Sequence, residues 1–117
     1  MIVSQFPDAI ICSDVNGKII RWNDAAVNIF GYSEQEALGA SLNLIIPPHL
    51  QDAHWHGFYA AVKSGYVKHK GEVILTGAMH KNGTRIYVDM IFGLLKNDQG
   101  AVAGVLASAR ENHSKSK

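Results

Sequence analysis

Asn-Gly occurs twice in this chain, at Asn16-Gly17 and Asn82-Gly83, and each pair stands between two β-rich runs. It is the strongest short-range signal for a tight hairpin. The first hairpin spans Ala9 to Asp14 and Lys18 to Trp22; the second spans Glu72 to Met79 and Thr84 to Leu95. A turn at Asn97 to Gly100 leads to a fifth strand, Ala101 to Arg110. Two strands alone cannot hide an apolar face, so the early hairpin has to join the late strands. The fold class expected is therefore α+β, a five-stranded antiparallel sheet with several helices packed on one face.

Helix signals fill the stretch between the hairpins. Asn23 suits an N-cap, Asp24 suits the first turn, and Gly31 ends a helix over Asp24 to Phe30. Ser33 and Glu36 have capping-box spacing, with a short helix over Glu34 to Leu38 stopping at Gly39. Leu42 to Ile46 adds one turn before Pro47-Pro48. The longest helix starts at Pro48, where proline is tolerated, and runs to Ser64 before Gly65. Its apolar stripe is Leu50, Ala53, His54, Gly57, Phe58, Ala61 and Val62, with Gln51, Asp52, His56, Tyr59 and Lys63 opposite. In the long late strand Ile86, Val88, Met90, Phe92 and Leu94 share a face.

At 117 residues the chain fits one domain: residues 1–117, with a core over 6–110 and a polar tail, 111–117, expected to fray toward an effector domain. A net charge of +1, with Lys68, His69 and Lys70 the only basic cluster, gives no nucleic-acid footprint. Cys12 is the only cysteine, so no internal disulfide or cysteine-built metal site can form, and the expected compartment is cytoplasmic. Met1 to Phe6 has no leader pattern and no run reaches membrane-spanning length, so no membrane contact is expected. Catalysis is not expected either. Asp14, Asp24 and Asp52 form no acid–base pair, Ser13 has no base in sequence reach, and the glycines mark turns rather than a phosphate loop.

Taken in order, Phe6-Pro7-Asp8-Ala9-Ile10, Asp14-Val15-Asn16-Gly17-Lys18-Ile19, Trp22-Asn23-Asp24-Ala25-Ala26, Phe30-Gly31-Tyr32-Ser33, Glu36-Ala37-Leu38-Gly39, Lys81-Asn82-Gly83-Thr84 and Asp98-Gln99-Gly100 resemble the PAS family over nearly the whole chain. The resemblance implies a sensory domain that binds a small ligand or cofactor, regulates a linked effector and pairs as a homodimer. The ligand has to be argued from a site, because the fold alone does not choose one.

The segment Ile46-Pro47-Pro48-His49-Leu50-Gln51-Asp52-Ala53-His54 resembles the matching stretch of haem-binding PAS domains, those of the oxygen-sensing histidine kinases and the direct oxygen-sensor phosphodiesterases. By that resemblance His54 is the proximal ligand of a haem b iron, for gas or redox sensing. The residues themselves point the same way. His54 alone among the long-helix histidines lies on the apolar stripe, while His56 points elsewhere and His49 sits at the helix start. Haem ligation needs a neutral imidazole in an apolar cavity. Gly57, one turn on, leaves room for a flat macrocycle, and Phe58 shares the stripe. Again by resemblance, Ile74 stands near the position of an oxygen-steadying arginine, a departure that leaves no distal donor. Met90 and Phe92 match distal-pocket residues, and Met90 is a candidate sixth ligand through its thioether.

Other readings stay open. His54 also reads as a core histidine held by hydrogen bonds, and Met90 as core filler. A haem-free module would bind another small molecule or dimerise through Ile11, Ile91 and Val105, read as facing outward. Flavin is a third occupant. The light-sensing flavin type needs a reactive cysteine on a helix, whereas Cys12 is on the first strand, so only noncovalent flavin remains. His69, His80 and His113 carry no site signal.

Overall fold

The computed structural model describes residues 8–68 and 70–113; Met1 to Pro7, His69 and residues 114–117, on which some of these expectations fall, lie outside them. Five strands, β1 (Ala9–Asp14), β2 (Ile19–Trp22), β3 (Ile74–Met79), β4 (Arg85–Lys96) and β5 (Val102–Glu111), form one antiparallel sheet in the order β2-β1-β5-β4-β3. The early hairpin joins the late strands through β1 and β5, with Ile11 opposite Ala107. Between the hairpins lie α1 (Asp24–Phe30), α2 (Glu34–Ala37) and α3 (Gln51–Ser64), with single 3-10 turns at Leu42–Ile45 and Pro48–Leu50. The long helix thus becomes α-helical three residues later than expected, because Leu50 N–H closes a short turn on Pro47 O at 2.9 Å. At the far end β5 runs one residue beyond Arg110, and Asn112 N–H donates to Tyr87 O at 2.8 Å.

The hairpin tips share one construction. Gly17, Gly83 and Gly100 donate their N–H to Asp14, His80 and Asn97 O respectively, each closing a four-residue turn at a positive φ. The first residue of each turn supplies a side-chain acceptor. Asp14 Oδ1 takes the Asn16 and Lys18 N–H, His80 Nδ1 takes the Asn82 N–H, and Asn97 Oδ1 takes the Gln99 and Ala101 N–H. His80 is therefore a turn-former.

The α1 corner is densely tied. Asn23, 3% exposed, caps α1 by accepting from Ala26 N–H at 3.0 Å and accepts from Ile10 N–H on β1 at 2.9 Å. Its Nδ2 donates to Asp8 O at 2.9 Å. Phe30 is fully buried, 5.6 Å from the Trp22 ring, and Trp22 Nε1 donates to Tyr32 O. Gly31 ends α1 at φ 85°, and the His80 ring occupies the space a side chain there would need.

The outward reading of Ile11 and Val105 is corrected: Ile11 is buried in the core, and Val105 packs against it. Ile10, Ile11 and Cys12 are all apolar, so alternation alone leaves the phase of β1 ambiguous, and the pairing with β5 fixes it. Ile91 does face outward and is exposed, as are Leu75 on β3 and Val73 just before it.

Candidate functional site

Where α3 crosses the inner face of the sheet, the two do not close on each other. A cavity of 680 Å³ lies between them, a size typical of pockets that enclose a cofactor-sized molecule, about 300–1,000 Å³. It stays open because the residues that should fill it are small. Ala53, Gly57 and Ala61 line it from α3, and Gly77, Ala78 and Ala107 from the sheet. Larger apolar side chains close the remaining sides, from Leu42, Ile45 and Ile46 to Leu94 and Val105. Ser13, His54, Lys68 and Thr76 are its polar lining residues.

All six residues singled out from the sequence, His54, Gly57, Phe58, Ile74, Met90 and Phe92, line this one cavity. Phe58 is the one buried residue of α3. The rest of the stripe faces the hollow, apart from Val62, which packs against the core. Met90 is buried and Phe92 half-buried on the opposite wall, one strand over from Ile74, which pairs with Met90.

The His54 ring sits 4.6 Å from Trp55, edge to face, and 5.8 Å from Phe58. Its Nδ1 is buried and has no hydrogen-bond partner. Among the described residues nothing supplies the Nδ1 hydrogen bond that the core-histidine reading calls for. Burial pushes the imidazole pKa below its ordinary range, so the ring is neutral near pH 7 and keeps a lone pair. Among the described residues no three metal-ligating side chains come together. His54 can offer a metal a single bond, which suits an ion whose other positions a macrocycle already fills.

The other histidines among the described residues lie apart from the cavity lining. His49 is exposed, and its Nε2 accepts from Arg85 Nη2 at 2.9 Å. His56 is exposed, and His113 stands 3.8 Å from the Glu111 carboxylate. Cys12 is buried, which pushes its thiol pKa up, yet only its strand neighbours Ile11 and Ser13 line the cavity. Sequence reasoning missed Lys68, Ser13 and Thr76 as lining residues, although Ser13 and Thr76 follow from alternation with Ile11 and Ile74. It also missed Trp55, whose Nε1 donates to Asn43 Oδ1 at 2.7 Å while its ring packs on Gly17. That contact pins α3 to the first hairpin, and no periodicity announces it.

An antiparallel sheet, a helical layer and an apolar hollow between them define the class: an α+β module built around an internal cavity. The chain belongs to the PAS domain family, whose model matches residues 7–112. The sensor protein FixL of Bradyrhizobium diazoefficiens is 41% identical over 46 residues, 39% of this chain and 9% of that protein. The chain spans under a tenth of the length of the curated relatives it matches. Among solved structures, the PAS domain of a Colwellia psychrerythraea protein superposes with a TM-score of 0.82 at 22% identity, covering 96% of this chain and 92% of that one. The PAS domain of the Cronobacter turicensis quorum-sensing receptor RpfR, in complex with C12:0, gives 0.73 at 17% identity, covering 94% and 98%. These likenesses bear on the fold. No helix among the described residues is long and apolar enough to cross a membrane.

Proposed function

We propose that this domain holds haem b in the cavity with His54 as the proximal iron ligand, and that it reports a gas or a redox state to a linked effector domain. The observation that carries this is the His54 imidazole, neutral and with its buried Nδ1 unpartnered, at the wall of a cofactor-sized apolar hollow. When bound, haem supplies an iron centre that takes up a gas or an electron. The chain's own residues do the rest. His54 offers its lone pair, Phe58, Ile74 and Phe92 exclude water, and Met90 presents a thioether on the wall across from α3. Lys68 brings a cation to the lining, suited to a ligand carboxylate.

The same apolar lining with one cation favours a second reading, a long-chain carboxylic acid, as in the RpfR domain solved with C12:0. Flavin photochemistry through a cysteine has less support, since Cys12 does not line the cavity. The exposed Leu75 and Ile91 on the outer sheet face, with the exposed Val73 just before β3, favour a homodimer, and the lone buried cysteine suits a cytoplasmic setting.

The test is an absorption spectrum of the purified domain after haemin addition, for the wild type and for His54→Ala. A Soret band in the wild type that the variant loses is the expected result. No band in either sinks the haem reading, and saturable binding of dodecanoic acid in that case would favour the second.

A further inference from the structure

We infer that Gly57 determines which occupants the cavity admits: its missing side chain leaves the α3 backbone as the wall beside His54, and the ligand lies against that backbone. This rests on the reading that the cavity holds haem.

Glycine inside a helix weakens it relative to alanine, so a mid-helix glycine needs a reason. The fold supplies one elsewhere. A side chain at Gly104 would strike the Ser13 carbonyl oxygen, and Gly31 combines a positive φ with the His80 ring packed against it. Gly57 has neither reason. It lies within Gln51–Ser64, its φ is not positive, and a Cβ built there meets nothing within 4 Å. Gly57 lines the cavity and is itself exposed, so a side chain at 57 would take up space on the cavity's open side.

Each wall mixes small and bulky residues. On the α3 side Ala53, Gly57 and Ala61 follow each other at one-turn intervals and form a strip of small residues beside His54 and Phe58. On the sheet side Ile74, Met90, Phe92 and Leu94 stand with the small Gly77, Ala78 and Ala107. Gly57 is the point of the α3 strip where the backbone itself is bare, and a rigid planar macrocycle needs that room. A flexible chain does not, because it can bend around an added side chain.

The test compares wild type, Gly57→Ala, Gly57→Leu and Ala60→Leu, the last adding the same bulk at an exposed position of α3 outside the cavity lining. The apo melting temperature of Gly57→Ala should rise by about 4 °C, from helix propensity alone. Haemin affinity should fall by about tenfold or more in Gly57→Leu and by a smaller factor in Gly57→Ala. It should stay within about twofold in Ala60→Leu. Dodecanoic acid binding should fall less than haemin binding in Gly57→Leu. Wild-type haemin affinity in both Gly57 variants overturns the role of Gly57 and leaves the haem reading standing. A wild type that takes up no haemin overturns both. Should Gly57→Leu fail to fold by circular dichroism, Gly57→Ala decides the matter alone.

Discussion

The α1 corner and the α3 wall draw on the same kinds of residue and finish in opposite states. Around α1, Phe30 has no exposed surface, the buried Asn23 bonds to β1, to its own helix and to Asp8, and the Trp22 indole N–H has a carbonyl partner. Along α3, Phe58 alone is buried, small residues face a hollow, and the buried His54 Nδ1 has no partner. A native interior normally fills its space and satisfies its polar atoms. One half of this molecule does so and carries the fold. The other leaves a hollow and a buried ring nitrogen without a partner, which is what the proposed ligand would complete.

The widest test of this contrast uses the same deletion on both sides. Phe30→Ala should cost about 3–5 kcal/mol, the range for an aromatic removed from a closed core. Phe92→Ala removes the same atoms from a cavity wall, where one side already lacks partners, and should cost only about 1–2 kcal/mol. Urea denaturation of the ligand-free variants measures both, with an unchanged m-value showing that unfolding remains comparable. Equal losses would mean that the cavity behaves as packed core, and the contrast would fail. A smaller effect belongs to Asn23→Ala. It strips the α1 cap and the links to Ile10 and Asp8 while leaving donors buried, for about 2–3 kcal/mol by the same measurement. A loss below about 0.5 kcal/mol would show the corner to be less dependent on these bonds than its geometry says.

How far the sequence foretold these two halves follows from the kind of signal each gives. The two hairpins, the Asn23 cap and the Ser33–Glu36 capping box are local patterns with one physical solution, and they were legible, whereas the order of the strands came from the tertiary fold. The stripe containing His54, Gly57 and Phe58 was legible as an apolar face too. That this face meets a hollow is a property of the opposite wall, where Gly77, Ala78 and Ala107 sit far away in sequence. Ile11 and Val105 were misread for a related reason: β1 is apolar on both faces, and the pairing with β5 chooses the inner one. Trp55 shows the same limit, since its bond to Asn43 joins α3 to a segment whose position only the tertiary fold determines.

The subtlest test isolates the lone pair itself. Burial depresses the His54 pKa in the folded, ligand-free protein, whereas in the unfolded chain the ring titrates near its ordinary value of about 6.5. Below that value the unfolded state binds a proton that the folded state refuses. This contribution to stability is therefore complete above about pH 6.5 and is lost as pH falls toward the depressed folded-state value. His54→Leu removes the titration and leaves no buried polar atom unpaired, so its stability should decline less than that of the wild type between neutral and mildly acidic pH. Haemin bound through His54 should deepen the pH dependence of the wild type, because the proton and the iron compete for one lone pair. Parallel curves for His54→Leu and wild type would mean that the ring is solvated after all, and the difference between the two halves of the molecule would shrink to one of packing.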